Sequence, residues 1–251
     1  GRVSGRVTLE GPPGATPLAL DVQLTFAEGS ATLAGSLDLT GPVPAYDFSG
    51  QLLDVSLPAL LEPEVPPVSL TAGFTLQGTG TDPATANARL GLRGRFTGWQ
   101  TGPSDTVRVS ATVADGTLAL ESAALRLATL DLAVDGTWQF VEPGGGALTY
   151  DVVVSEVRPF APYLPFLVGS DASGALRTQG VLSGTLDVPR FTGTLEGANL
   201  AYGEWAAEEL DAEYDIALRE PTPDATVEAV ARMLEAPGDA IYDIATAQLL
   251  L

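Results

Sequence analysis

The sequence has no cysteine and no histidine, and all 12 of its basic residues are arginine, so lysine is missing too. Each absence excludes a kind of chemistry. No thiolate can attack a substrate, no lysine can form a Schiff base, and no imidazole can move protons near neutral pH. Zinc centres built from His and Cys are excluded as well. Positive charge is scarce: 12 arginines face 32 carboxylates, a formal net charge of −20. The sequence shows no basic cluster of the kind that neutralises nucleic-acid phosphates, so no nucleic-acid partner is expected. No run of the sequence approaches the ~18 apolar residues that read as a membrane-spanning helix. Zero Cys is compatible with a reducing cytosol and equally with a cell envelope. The chain begins at Gly1 without Met and shows no leader, so it is expected to be an internal piece of a longer protein.

What is present is alternation. Of the 251 residues 45% are apolar, and 28 Gly with 19 Pro imply many turns. Leu18, Leu20, Val22, Leu24 and Phe26 share one face of a strand while Asp21, Gln23 and Thr25 share the other. Leu33, Leu37 and Leu39 continue the pattern after the turn Glu28-Gly29. Val107, Val109, Ala111 and Val113 form a strand that ends at the hairpin signal Asp115-Gly116. Leu118, Leu120, Leu125, Leu127, Leu130, Leu132 and Val134 follow, then Tyr150, Val152 and Val154, then Phe191, Leu195, Leu210, Tyr214, Ile216 and Leu218. The reading yields about sixteen short, locally connected strands over residues 1–218.

A long-range echo overlies this pattern. The stretch from Gly41 through Tyr46 and Phe48 to Leu61 returns as Gly145 through Leu148 and Tyr150 to Phe160, and each copy then reaches a Gln-Gly pair, Gln77-Gly78 and Gln179-Gly180, 102 residues apart. That spacing pairs Tyr46 with Leu148, Phe48 with Tyr150 and Leu52 with Val154. An even shift keeps alternation in phase, so one sheet-forming unit stacked on its copy is expected. The repeats are placed at 1–48 (partial), 49–149 and 150–220 (partial). Pro-dense segments at 57–67 and 159–167 interrupt the strands and predict short helical or extended pieces, as end-caps or as gates. Residues 221–251 predict a helical tail: Thr222-Pro223 starts it, Val227, Val230, Ala231 and Leu234 share a helical face, and Pro237-Gly238 stops it.

Catalytic constellations are hard to assemble. Glu204, Glu208, Glu209, Asp211, Glu213 and Asp215 form the densest acidic patch, but Asp211, Glu213 and Asp215 alternate with apolar residues as the wet face of a strand would. A calcium loop needs converging ligands around a turn glycine, and that spacing is missing. Ser4, Ser36, Ser49 and Ser183 adjoin glycines without a nucleophile elbow. Gly144-Gly145-Gly146 has no Lys or Ser/Thr for a phosphate loop. Trp99, Trp138 and Trp205 read as core or rim packing in preference to ligand platforms. No enzyme activity, metal or cofactor is expected.

The segment Val181–Gly203, with Gly184-Thr185-Leu186-Asp187-Val188-Pro189 leading into Gly193-Thr194-Leu195 and then Leu200-Ala201-Tyr202-Gly203, resembles a phrase of the AsmA-like and TamB-like envelope proteins of diderm bacteria. Thr79-Gly80-Thr81-Asp82-Pro83 with Leu90, Leu92 and Gly94 is a weaker copy, and Leu57-Pro58-Ala59-Leu60-Leu61 is similar to the family's Pro-bounded element. The resemblance covers residues 1–218 and implies an all-β, elongated, curled antiparallel meander. Its concave apolar groove would carry phospholipid acyl chains across the periplasm between the inner and outer membranes. It further implies membrane attachment through parts of the parent protein outside this sequence, and an outer-membrane partner. The aliphatic stripe that would contact lipid is Leu20, Val22, Leu24, Leu37, Leu39, Phe48, Val109, Leu120, Leu132, Tyr150, Val152 and Ile216. The competing expectation is a structural or adhesive β-repeat protein whose apolar face closes into a dry core, because alternation alone serves both.

Overall fold

The computed structural model describes residues 3–11, 17–56, 68–98, 105–141, 144–163, 171–185, 187–219, 224–237 and 240–250. These residues form fifteen β-strands, ordered in the sheet as they are in the chain. Every register described pairs consecutive strands antiparallel. The chain divides into two compact units, Gly1–Ala128 with Thr137–Glu142, and Thr129–Gly136 with Pro143–Leu251.

The first unit holds β1 (Ser4–Glu10), β2 (Leu18–Thr25), β3 (Ser30–Asp38), β4 (Ala45–Ser56), β5 (Val68–Thr79), β6 (Asn87–Gly98), β7 (Thr106–Ala114) and β8 (Thr117–Leu127). Its turns follow the sequence signals. Asp115 and Gly116 have φ of 49° and 74°, the pair of positive values that a two-residue hairpin needs to match strand twist. Gly29, with φ of 95°, turns β2 into β3. The second Asp-Gly pair, Asp135-Gly136, instead lies inside β9 (Leu130–Gln139). The segment 57–67 and Trp99 fall outside the described residues.

The second unit holds β10 (Gly145–Val154), β11 (Ser173–Gly184), β12 (Pro189–Tyr202), β13 (Trp205–Ala217), β14 (Asp224–Ala236) and β15 (Ala240–Leu250). A 3-10 turn over Arg158–Tyr163 begins the second Pro-dense segment, as the proline spacing predicts; 164–170 lie outside the described residues.

The helical tail expected over 221–251 is a correction. Residues 224–236 and 240–250 are strands β14 and β15, while the start signal Thr222-Pro223 lies outside the described residues. The segment carries both periods. Val227, Val230, Ala231 and Leu234 fit a helix, but Ala225, Val227, Ala229 and Ala231 equally fit a strand. Backbone donors and acceptors along β13 decide between them, since pairing satisfies them and an isolated helix would leave that edge open. Val230 accordingly lies across from Asp211 and Thr246, off the apolar face. At Met233 the backbone takes φ of 48°, and Arg232 and Met233 are both exposed before Leu234 turns inward. Asp54 and Asn199 do the same within β4 and β12, so three non-glycine residues in left-handed conformations reset the alternation mid-strand.

Candidate functional site

The candidate site is the apolar face of each unit, built row by row from the strand register. In the first unit one row runs Leu9, Leu20, Gly35, Phe48, Leu76, Leu90, Ala111, Leu120 across β1 to β8. The next runs Val7, Val22, Leu33, Gly50, Phe74, Leu92, Val109, Ala123. Leu24 stands in a third with Ala31, Leu52, Ala72, Gly94, Val107 and Leu125. Leu37 stands in a fourth with Tyr46, Gly78, Ala88, Val113 and Leu118. None of these rows contains a charged side chain.

In the second unit Tyr150 starts a row through Gly180, Gly193, Tyr214, Val227 and Leu249, and Val152 starts one through Thr178, Leu195, Ala212, Ala229 and Ala247. Ile216 lies in the row of Leu148, Leu182, Phe191 and Ala225. Leu132 shares the more buried side of β9 with Leu130 and Val134. Eleven of the twelve expected residues therefore lie on strands. Leu39 does not: it follows the end of β3 and is 57% exposed.

Burial on these faces is partial. Each of the eleven is half-buried; the buried apolar side chains are a scattered few, among them Val55, Val68, Ala72, Ala111, Trp138 and Ala212. In the interior of a two-layer sandwich, successive inward residues would be enclosed on both sides. Trp138 is enclosed, whereas Trp205 is 48% exposed at the start of β13.

Glycine and aromatic residues interlock on this face in a way the sequence reading passed over. A methyl group added at Gly50 would lie 2.6 Å from Phe74 Cε1, one at Gly35 2.7 Å from Phe48 Cδ1, and one at Gly193 2.7 Å from Tyr214 Oη. Each ring lies across a glycine of the adjacent strand, which keeps large side chains low against the sheet. The rule also revises the repeat. Tyr46 lies across from Gly78 and Tyr150 across from Gly180, so the register equates Tyr46 with Tyr150 and not with Leu148. Tyr46, Phe48 and Leu52 share the apolar face of their unit, and Leu148, Tyr150 and Val154 that of theirs.

Three polar groups interrupt the apolar face of the second unit, and they satisfy one another. Thr178 Oγ1 donates to the Thr194 carbonyl at 2.9 Å and contacts Tyr214 Oη at 2.6 Å; Tyr214 Oη contacts Tyr150 Oη at 2.5 Å. The single threonine proton fixes the direction of the chain: Tyr214 donates to Thr178, and Tyr150 donates to Tyr214. Burial, and then this donated bond, hold the Tyr150 phenol well above its ordinary titration range. Polar groups that are paired internally cost little on an apolar face.

The opposite face is wet and charged. Asp211, Glu213 and Asp215 lie on β13 with Glu196 and Glu228 on neighbouring strands, and among the described residues no group of three or more carboxylates is placed to hold a metal ion. Arg177 binds Asp151 at 3.0 Å, Arg232 binds Glu209 at 3.0 Å, and Arg190 grips Asp215 through Nε at 2.6 Å and a second guanidinium nitrogen. The Arg190 bonds hold the Asp215 carboxyl below the usual carboxylate range. Exposed pairs of this kind add little stability but fix cross-strand neighbours. No protein-family model, curated protein or solved structure matches this chain.

Proposed function

We propose that this chain is a segment of a lipid-conducting surface, in which the apolar face of each unit shelters phospholipid acyl chains while head groups stay in water. The observation that carries the reading is the combination on one face: rows of Leu, Val, Ala, Gly and aromatic residues without a charge, whose large aliphatic side chains are half-buried or exposed. A face so apolar gains about 0.8 kcal/mol for each methylene it removes from water. Aliphatic rows without charged anchors let a chain slide, because every position offers nearly the same dispersion contact. Work of this kind is non-covalent and asks for no catalytic group. The resemblance to AsmA-like and TamB-like proteins supports the same reading and adds the periplasm as its setting.

The partial burial of Val109, Leu120 and Leu132 disfavours the alternative of a closed dry core. Photo-crosslinkers placed at Val109 and Leu132 test the proposal directly. Lipid adducts are expected at both positions and not at Ser110 or Asp131 on the other face. Purified protein that yields neither adducts nor extractable lipid refutes it.

A further inference from the structure

Arginine is distributed unevenly over the polar faces. Arg93 and Arg95 point away from the apolar rows of β6, and the register sets Arg108 of β7 directly across from Arg93. Strands β5, β6 and β7 contain no aspartate or glutamate. In the second unit Arg177, Arg190 and Arg232 each meet a carboxylate on an adjacent strand. In the first, Arg93 lies between Gly73 and Arg108, and Arg95 between Thr71 and Thr106. The carboxylates of flanking strands are already engaged: Asp54 accepts from Thr71 at 2.9 Å, and Glu121 from Ser110 at 2.7 Å. The sequence showed no basic cluster because Arg108 joins the others only through strand pairing.

Like charges directly opposite one another on a sheet are destabilising. Here the pair borders a recess of about 380 Å³ lined by Arg93, Arg95, Arg108, Thr71, Thr106 and Gly73. Gly73 leaves room in it, since a methyl group there would meet nothing nearer than 3.9 Å. We infer that this recess is an anion site that takes a phosphate group, either in a small free phosphate compound or in a lipid head group. Guanidinium forks match phosphate oxygens with paired, charge-assisted hydrogen bonds. The Thr106 hydroxyl adds a polar group at its wall, while the Thr71 proton stays with Asp54. A bound dianion would replace the Arg93–Arg108 repulsion with two attractions. The site lies on the face opposite the apolar rows, so it stands or falls separately from the lipid-conducting reading.

The test uses the whole chain at low ionic strength, with inorganic phosphate titrated by calorimetry and thermal shift against chloride of equal ionic strength. A saturable rise in Tm is expected. Affinity should fall about tenfold or more in Arg93→Gln and in Arg108→Gln, and stay unchanged in Arg177→Gln. Without phosphate, Arg108→Gln should be no less stable than the parent, which a merely structural arginine would not allow. Co-sedimentation with phosphatidylcholine vesicles, with and without phosphatidic acid, separates the sources. Binding to inorganic phosphate alone assigns a free compound, and capture by phosphatidic acid vesicles that is lost in Arg93→Gln assigns a head group. Absence of both, or binding that survives both substitutions, overturns the inference.

Discussion

Replacing Val109 with Asp separates an open apolar face from a closed core. Val109 stands between Leu92 and Ala123 in a charge-free row and is half-buried. Full burial of a valine is worth about 1.5–3 kcal/mol, so the part lost here is roughly 1 kcal/mol. Aspartate is a poor strand former, which adds up to about 1 kcal/mol. Because solvent reaches the position, the new carboxylate keeps its water and no large desolvation cost follows. The expected total is about 2 kcal/mol out of a typical 5–15 kcal/mol, a shift of roughly 1 M in a urea midpoint. Leu132→Asp should behave alike in the second unit. In a dry core the same charge would cost several kcal/mol more and would unfold the protein. Urea melts followed by circular dichroism, run beside a fluorescent-lipid transfer assay, read both consequences. The variants should fold and lose lipid passage. Collapse of the β-sheet signal, or transfer that continues unchanged, would refute the reasoning.

Gly50→Ala should destabilise by about 1–3 kcal/mol, since its methyl group would collide with Phe74, whereas Gly73→Ala on the other face should be neutral or slightly stabilising; denaturant midpoints compare the two. Tyr150→Phe should cost about 1 kcal/mol at neutral pH through loss of the bond donated to Tyr214. Because the folded-state value of Tyr150 is raised, its stabilisation is complete below about pH 10, the unfolded value, and is lost as pH rises through the folded one. Ultraviolet titration should therefore show a tyrosine step above the ordinary phenol range, and Tyr150→Phe should remove it.

Alternation determined most of what the sequence could say by itself. Leu18, Leu20, Val22 and Leu24 needed no partner to declare a strand with one apolar face, because side chains alternate along any extended backbone. The turn at Asp115-Gly116 was equally local, set by which residues tolerate positive φ. The chemistry excluded by missing Cys, His and Lys required no structure at all.

Tertiary structure decided whatever depended on a neighbour. The segment 224–236 carried apolar spacing for helix and strand alike, and pairing along β13 chose the strand. Only the register shows that the glycines beside Phe74 and Tyr214 each lie across from a ring. Arg93 and Arg108 are distant enough in the chain to look unrelated, yet they stand side by side on paired strands. Partial burial of the apolar rows belongs here too. A strand's own sequence fixes which side chains share a face, but only the elements packed around that face determine how much water reaches it.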